Sequence, residues 1–358
     1  MPRNVTAEIF LFDTCTHRCG YCYLAETGRV LDRSQLERFR NEEFLQQFIS
    51  FFVRRSKEQD IRWKFSLTGG EPMLMPNIER IFGAWAEVDS SFSIYTSLNV
   101  SHRSPAWDAI VRHAACMDYV MCSLHSEDRK TEDRFFEGME RLRDAGVPVL
   151  MRVVGHPERL QHLDRWAEKC EELKLPFYPT AMLGEHYPTR YTDKERAILN
   201  KYQKTLGQWL LMEGGVDTRN VRCSAGAKVI YLYLESGEIY PCIHLQEPAI
   251  GNLYEDRLEL GESDARKPCP AAGIACSCDI HYFHDIVSGA EDSAGLRKLL
   301  SGEVSIADEQ TFHEVVRQNG LRTSGVRRPM EYTVNDDSEL KVPLEVAKKG
   351  LKEFLQGR

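Results

Sequence analysis

Residues 7–22 read AEIFLFDTCTHRCGYC, a short apolar run followed at once by three cysteines. The run has the composition of a buried strand, and Cys15, Cys19 and Cys22 then follow in a C-x3-C-x2-C pattern. Three thiolates on one tight loop can hold three irons of a 4Fe–4S cube. The fourth iron then has no protein ligand, and an open metal position is typical of a catalytic site.

A structural zinc site is the alternative interpretation of these cysteines, with His17 or a distant residue as the fourth ligand. Structural zinc loops usually pair one C-x2-C knuckle with a second, similar knuckle. The pattern therefore favours an iron–sulfur cluster over zinc.

Outward from this loop, short apolar runs alternate with amphipathic segments. Strands are predicted at residues 7–12, 63–67, 92–96, 119–124, 147–154 and 177–182. Helices are predicted at residues 41–57, 76–88, 105–115, 132–145 and 160–173. Five helices between six strands are the pattern of repeated βαβ units, so the predicted fold class is α/β with a parallel sheet.

A second motif, LTGGEPML at residues 67–74, ends the second predicted strand. Gly69 and Gly70 would let the backbone approach a ligand closely, and Glu71 offers an acceptor for an ammonium group. Alone, the segment is equally well explained by a turn before Pro72. Because both motifs follow strands of a β/α array, we expect them on the face where the active sites of barrels form.

Together the two motifs resemble those of the radical S-adenosylmethionine (SAM) enzymes. CTHRCGYC is similar to their cluster motif, with the aromatic Tyr21 before the last cysteine, and GGEP is similar to their SAM amino-group motif. The resemblance covers residues 5–190 and implies a partial (β/α)6 barrel of the TIM type. It also implies a 4Fe–4S cluster whose open iron is chelated by SAM. A reductant such as flavodoxin or ferredoxin would supply the electron to this cluster. The product of SAM cleavage would be a 5′-deoxyadenosyl radical that removes a hydrogen atom from the substrate.

The resemblance implies further cofactor contacts at other strand ends. Ser123, near the end of the fourth strand, resembles a ribose-contacting residue, and Arg152 on the fifth strand resembles a partner of the SAM carboxylate. Asn99 stands where the family has a polar residue after the third strand, although TSLN differs from the usual Thr-Asn-Gly.

The alternation of side chains along a strand predicts the positions of two histidines. If Ser123 points inward, the period of two places His125 on the same face and turns Cys122 to the other face. If the fifth strand continues as far as His156, that residue likewise shares a face with Arg152. Both histidines are candidates for substrate contacts, and a hydrogen-bonded structural histidine is the equal alternative for each.

Five further cysteines follow the predicted barrel. They are Cys223, Cys242, Cys269, Cys276 and Cys278. Residues 229–242, VIYLYLESGEIYPC, predict a β-hairpin that brings the first two together. The pattern resembles the twitch and SPASM extensions of radical SAM enzymes and implies one auxiliary 4Fe–4S cluster, with one thiol more than it needs. Which four are ligands is open, and zinc bound by four of the five is the alternative.

The chain has 358 residues, 11 of them cysteines, and a formal charge of −8. That charge argues against nucleic-acid binding, which needs basic surface. No apolar run approaches the ~18 residues of a membrane span, and the N-terminus turns polar too early for a signal peptide. A cytoplasmic protein is therefore expected, with its cysteines as metal ligands rather than disulfides. Cys116, Cys122 and Cys170 are expected to pack as small hydrophobes.

Four segments are predicted along the chain. They are a barrel at 1–190, a connection at 191–222, an auxiliary cluster domain at 223–285 and a helical extension at 286–358. The connection is predicted as one helix at 193–213. Helices of the extension are predicted at 294–300, 308–319 and 344–355.

These features predict a radical SAM oxidoreductase that acts on a small molecule. Because the first predicted strand lies near residue 1, we expect no fused peptide-recognition domain before it. The alternatives are a peptide-modifying enzyme that crosslinks or epimerises its substrate and, from another class, a non-catalytic iron–sulfur electron carrier or a zinc-binding protein. A fully ligated auxiliary cluster would make the reaction oxidative, and one with an open iron could bind the substrate. A cysteine left free could return a hydrogen atom and make the reaction redox-neutral.

Overall fold

The computed structural model describes residues 2–323, apart from residue 18 and residues 23–33, 184–186, 220, 246, 264–265, 270 and 272–274. The helix predicted at 344–355 lies outside the described residues. Within them, no helix is long and apolar enough to cross a membrane.

Six parallel strands form one end of a ten-stranded sheet and lie side by side in chain order. They are β1 (Arg3–Phe10), β2 (Ile61–Thr68), β3 (Ser91–Thr96), β4 (Met117–Ser123), β5 (Val149–Gly155) and β6 (Phe177–Ala181). Each overlaps its predicted position. The α/β fold and the partial barrel are therefore confirmed.

Helices connect these strands on the outer face of the sheet. They are α1 (Ser34–Glu37), α2 (Glu42–Gln59), α3 (Ile78–Ala86), α4 (Pro105–Arg112), α5 (Arg129–Asp144) and α6 (Leu163–Glu172). Asn41, Ser104 and Asp128 stand before α2, α4 and α5, and each side chain accepts a hydrogen bond from a backbone N–H of the first turn. Four fully buried tryptophans fill the layer between helices and sheet, which fixes the helices against the strands: Trp63, Trp85, Trp107 and Trp166.

The predicted hairpin extends the same sheet beside β1. The remaining strands are β7 (Val216–Asp217), β8 (Arg222–Cys223), β9 (Val229–Tyr233), β10 (Glu238–Tyr240), β11 (Gly251–Asn252), β12 (Arg257–Leu258), β13 (Lys267–Pro268) and β14 (Ala275–Cys276). β9 lies parallel to β1, and β10, β11 and β12 follow in antiparallel order. The cysteine-rich half of the chain thus shares backbone hydrogen bonds with the strand that leads into the first cysteine loop.

The single connecting helix predicted at 193–213 is wrong, because two helices occupy this stretch: α7 (Asp193–Asn200) and α8 (Leu206–Met212). Thr205 has an extended backbone (φ −126°, ψ 154°), and its side chain accepts a hydrogen bond from the N–H of Gln208. A residue that caps a new helix in this way cannot continue the previous one.

The last described helices are α9 (Asp279–Phe283), α10 (Ser293–Leu300) and α11 (Glu309–Gln318). The predicted helices at 294–300 and 308–319 therefore correspond to α10 and α11. Phe283, Leu296 and Leu299 pack against Tyr119 and Tyr178 in a buried cluster on the inner side of the sheet. The C-terminal helices thus fill part of the barrel interior.

Asp292 connects α10 to the start of α8. Only 3% of this residue is exposed, and its carboxylate accepts hydrogen bonds from the backbone N–H groups of Leu206 (3.1 Å) and Gly207 (2.7 Å). Burial raises the pKa of the Asp292 carboxyl from 3.8 to about 7. Between these two values the native chain holds a proton that the unfolded chain has released, so the unfolding free energy falls as the pH rises.

We expect the difference in unfolding free energy between wild type and Asp292→Asn to fall by up to about 1.4 kcal/mol per pH unit between about pH 4 and 7, because asparagine does not titrate. Urea titrations across this interval measure the difference. Asp308→Asn, at the exposed start of α11, is the control, since the pKa of Asp308 is lowered by its hydrogen bonds to Thr311 and lies below the interval. A pH-independent difference for Asp292→Asn would contradict the prediction.

Candidate active site

The cysteine loop and the GGEP segment leave the same end of two neighbouring strands, because the last residues of β1 and β2 pair in register. The two segments stay together beyond the sheet. The N–H of Gly70 donates to the carbonyl of Phe12 (2.6 Å), and the N–H of Glu71 donates to the carbonyl of Thr14 (2.8 Å). The GGEP segment thus holds the residues that lead directly into Cys15.

Both glycines are required by this contact. A Cβ on Gly70 would lie 1.9 Å from the carbonyl oxygen of Thr14, and a Cβ on Gly69 would lie 2.6 Å from that of Phe12. Gly69 also has a φ of +118°, which side chains rarely allow. The close approach predicted from the two glycines is therefore present, and its partner in the structure is the backbone of the cysteine loop.

Glu71 connects this contact to the end of β3. One carboxylate oxygen accepts hydrogen bonds from the hydroxyl of Thr96 (2.6 Å) and the N–H of Met73 (3.1 Å), and the other from the hydroxyl (2.5 Å) and N–H (2.8 Å) of Ser97. Burial raises the pKa of the Glu71 carboxyl, although the four donors act in the opposite direction. Pro72 follows as the buried first residue of a short 3-10 helix. The predicted contacts of Glu71 and Pro72 with SAM stay predictions.

Tyr21 anchors the cysteine loop to the far side of the barrel mouth. Its hydroxyl lies 2.7 Å from Nδ1 of His125 and accepts a hydrogen bond from Arg159 (3.0 Å). Arg159 is fully buried, donates to the carbonyl of Leu124 (2.7 Å) and pairs with Glu127. Arg159 was not predicted, because a single arginine in a helical stretch carries no motif.

The predicted histidines surround Tyr21. His156 lies with its ring 5.9 Å from that of Tyr21, and its Nδ1 accepts a hydrogen bond from the N–H of Glu158 (3.4 Å). The ring of His125 also lies 5.9 Å from Tyr21. Both histidines therefore help to position the loop, and their substrate contacts stay predictions.

The three cysteines of the loop fit the ligand set of a cluster with one open iron. The N–H of Cys22 donates to the carbonyl of Cys19 (3.0 Å), and the N–H of His17 donates to Sγ of Cys15 (3.4 Å), which makes a tight turn. Burial raises the pKa of the Cys15 thiol and brings that of Cys19 to about 12. Thiols of this kind lose their protons to a bound metal. Among the described residues no three His, Cys, Asp or Glu side chains are arranged to hold a single ion.

A cavity of about 230 Å³ lies on the inner side of the sheet, next to this loop. Tyr21 lines it from the cysteine loop, and Arg152 and Asp279 line it from the barrel interior. Nη1 of Arg152 lies 3.3 Å from Oδ2 of Asp279, and Nε donates to the hydroxyl of Thr180 (3.4 Å). Arg152 was expected to meet the SAM carboxylate, and in the structure its guanidinium pairs with a carboxylate of the chain itself.

Ser123 and Asn99 lie at the ends of the next strands. Ser123 ends β4 in register with Arg152. Asn99 lines a separate cavity of about 540 Å³ beyond β3 and β4, together with His17 and His125. Their contacts with SAM stay predictions.

Four of the five C-terminal cysteines line one small closed cavity. They are Cys223, Cys242, Cys269 and Cys276. His244 and His281 line the same cavity, and Nδ1 of His281 lies 3.2 Å from Sγ of Cys276. Four thiols that converge on one cavity match the ligand number of one 4Fe–4S cluster.

The fifth thiol, Cys278, faces the barrel cavity instead. Its Sγ lies 3.4 Å from the hydroxyl of Tyr231, and it lines the cavity beside Asp279. Because Cys276 lines one cavity and Cys278 the other, residues 276–278 form part of the wall between them. The geometry therefore separates Cys278 from the other four thiols.

Residues 9–170 match the family described as the Radical SAM superfamily. The match confirms the resemblance inferred from the two motifs and supports an enzyme that uses radical chemistry, with SAM and a 4Fe–4S cluster. No curated protein matches the chain.

Several solved structures are similar to this chain. SuiB of Streptococcus suis is 16% identical over 71% of this chain, with a TM-score of 0.48, and the chain spans 64% of the length of SuiB. The structure of anSMEcpe with bound AdoMet is 12% identical over 88% of this chain and 92% of its own, with a TM-score of 0.52. That of anSMEcpe with bound AdoMet and Kp18Cys peptide is 13% identical over 99% and 96%, with a TM-score of 0.51. At these identities the likeness to the two anSMEcpe structures concerns the fold alone.

We expect anaerobically reconstituted wild-type chain to hold about eight irons and Cys276→Ala about four, because that substitution removes one thiol of the closed cavity. Cys278→Ala, two residues away, is the matched control and should keep about eight irons. Iron and sulfide analysis measures both. An equal loss of iron in the two variants would contradict the assignment of Cys278 as the surplus thiol.

Gly70→Ala should break the backbone hydrogen bonds between the GGEP segment and the cysteine loop, because the new methyl group would overlap the Thr14 carbonyl. We expect it to lose SAM-dependent 5′-deoxyadenosine formation by at least about 100-fold, about 2.7 kcal/mol of barrier. Gly83→Ala is the control, since Gly83 lies in α3 with no atom within 4 Å of its added Cβ. Normal turnover by Gly70→Ala would show that the close contact is dispensable.

Proposed function

We propose that this chain, whose residues 9–170 match the Radical SAM superfamily, is a radical SAM oxidoreductase that removes a hydrogen atom from a small molecule in the barrel cavity. Cys15, Cys19 and Cys22 would hold the cluster, with Gly69 and Gly70 setting the position of their loop. When bound, cluster and SAM supply a 5′-deoxyadenosyl radical. The observation that carries the proposal is that backbone hydrogen bonds join the cysteine loop to the GGEP segment beside the barrel cavity.

The chain itself supplies a cavity that can hold a reactive substrate. Its walls include the apolar side chains of Met182, Leu183, Leu211 and Ile243, which exclude water from one side. Arg152, Asp279 and Tyr95 give the other side polar groups that can orient a ligand. A volume of about 230 Å³ suits a small molecule or one side chain of a larger substrate.

The oxidative outcome is favoured by the arrangement of the two cavities. Residues 276–278 border both of them. A cluster held by Cys223, Cys242, Cys269 and Cys276 would supply an electron acceptor beside the substrate. We also expect a reducing cytoplasmic environment, in which flavodoxin or ferredoxin supplies the first electron.

A peptide-modifying enzyme is the second candidate, because the barrel cavity also has the size for one side chain of a peptide. Crosslinking and epimerisation are the reactions that this alternative includes. The free thiol of Cys278 in the cavity wall favours the redox-neutral branch, since a thiol there could return a hydrogen atom to a substrate radical.

The proposal is tested by incubating the anaerobically reconstituted chain with SAM and dithionite. We expect 5′-deoxyadenosine and methionine, measured by liquid chromatography with mass spectrometry, and neither product from the variant with Cys15, Cys19 and Cys22 changed to alanine. Intact clusters with no SAM cleavage, with or without candidate substrates, would instead indicate a non-catalytic electron carrier.

A further inference from the structure

Glu8 reaches the barrel cavity from the inner face of β1. Only 7% of the residue is exposed, and its Oε2 is buried with no hydrogen-bond partner among the described residues. Because Glu8 stands two residues before the end of β1, it lies about 7 Å deeper in the barrel than the end of that strand. A carboxylate with a free acceptor atom therefore borders the inner part of the cavity.

The other two charged side chains of the cavity wall, Arg152 and Asp279, form an ion pair, although Oδ2 of Asp279 has no hydrogen-bond partner among the described residues. Arg152 lies 3.3 Å from Asp279, and Oδ1 of Asp279 accepts a hydrogen bond from the N–H of Ile280 (3.0 Å). Arg152 also donates to Thr180. The wall thus includes two acidic side chains and one basic one, and the basic one, Arg152, is paired with Asp279.

A buried carboxylate without a hydrogen-bond partner is unfavourable. Burial and the neighbouring charge of Asp279 raise the pKa of Glu8 well above its usual value, and Arg152 offsets only part of the effect. A cationic ligand would relieve this imbalance, because it supplies both the missing charge and the missing hydrogen-bond donor. The apolar wall formed by Leu183, Leu211 and Ile243 suits the hydrocarbon part of the same ligand.

We propose that the substrate carries a cationic nitrogen, an ammonium or a guanidinium group, that pairs with Glu8 in the barrel cavity. This inference rests on the proposed function, which assigns the cavity to the substrate. With the cation held at Glu8, the rest of the molecule extends along the apolar wall toward Tyr21 and the cysteine loop. The cation belongs either to a free amine or to a lysine or arginine side chain of a peptide.

The test measures binding to the reconstituted chain with SAM bound and no reductant. Four probes of similar size are compared by isothermal titration calorimetry: butylammonium, butylguanidinium, butanol and butyrate. We expect the two cations to bind at least about tenfold more tightly than the neutral and anionic probes. Equal affinity for butanol, tighter binding of butyrate, or no binding of either cation would overturn the proposal.

The charge of Glu8 is tested by Glu8→Gln, which keeps the shape of the side chain. We expect this variant to lose the tenfold preference for cations and to retain its affinity for SAM. Glu43→Gln, which makes the same charge change at an exposed position of α2, is the control and should bind all four probes as wild type does. If Glu8→Gln binds the cations normally, or weakens SAM binding instead, Glu8 does not recognise the substrate.

One further measurement distinguishes a free amine from a peptide side chain as the source of the cation. A second distinguishes failure of the proposed function from failure of the cation inference. Binding of N-acetyl-lysine methylamide would assign the cation to a peptide side chain, and its exclusion while butylammonium binds would assign it to a free amine. Because the binding assay needs no SAM cleavage, a failure to form 5′-deoxyadenosine would overturn the proposed function alone. A missing cation preference in a chain that does cleave SAM would overturn the inference alone.

Discussion

Two backbone hydrogen bonds between the GGEP segment and the residues before Cys15 hold the candidate active site together. They form because β1 and β2 end at the same level and because two glycines leave room for a second chain. Two further contacts connect this region to the rest of the barrel mouth. Glu71 fixes its outer side to β3, and the buried pair of Arg159 and Tyr21 fixes the loop to the opposite side of the barrel.

Local patterns predicted the elements well, whereas partners distant in sequence escaped prediction. The six strands were found because apolar, β-branched runs report burial directly. The break before α8 was missed because the capping role of Thr205 is weaker than the helical periodicity around it. Both glycines of the site were recognised, but their partner could not be, since strand register brings Phe12 and Thr14 beside them.

The charged groups of the cavity show the same limit. Glu8 is one polar residue in an apolar strand, and only the fold shows that Arg152 of the cavity wall is paired with Asp279. The five C-terminal cysteines were visible in the sequence, but the sequence did not show which of them line the same cavity. The division depends on the turn of the chain at residues 276–278, where Cys276 and Cys278 meet different cavities. In each case the residue type indicates the chemistry, but the role of the individual residue depends on its neighbours in the folded chain.

The pairing of β9 with β1 has a consequence for how the molecule is built. Without it, β1 would present a free edge with unpaired backbone groups, a template for intermolecular association. The strand that delivers the first cysteine loop is therefore shielded by a segment more than 200 residues away in the chain. The two halves therefore cannot be exchanged independently. Grafting the cysteine-rich part onto another barrel would require a strand that pairs with β9 as β1 does. Deleting that part would expose the edge of β1 and favour aggregation.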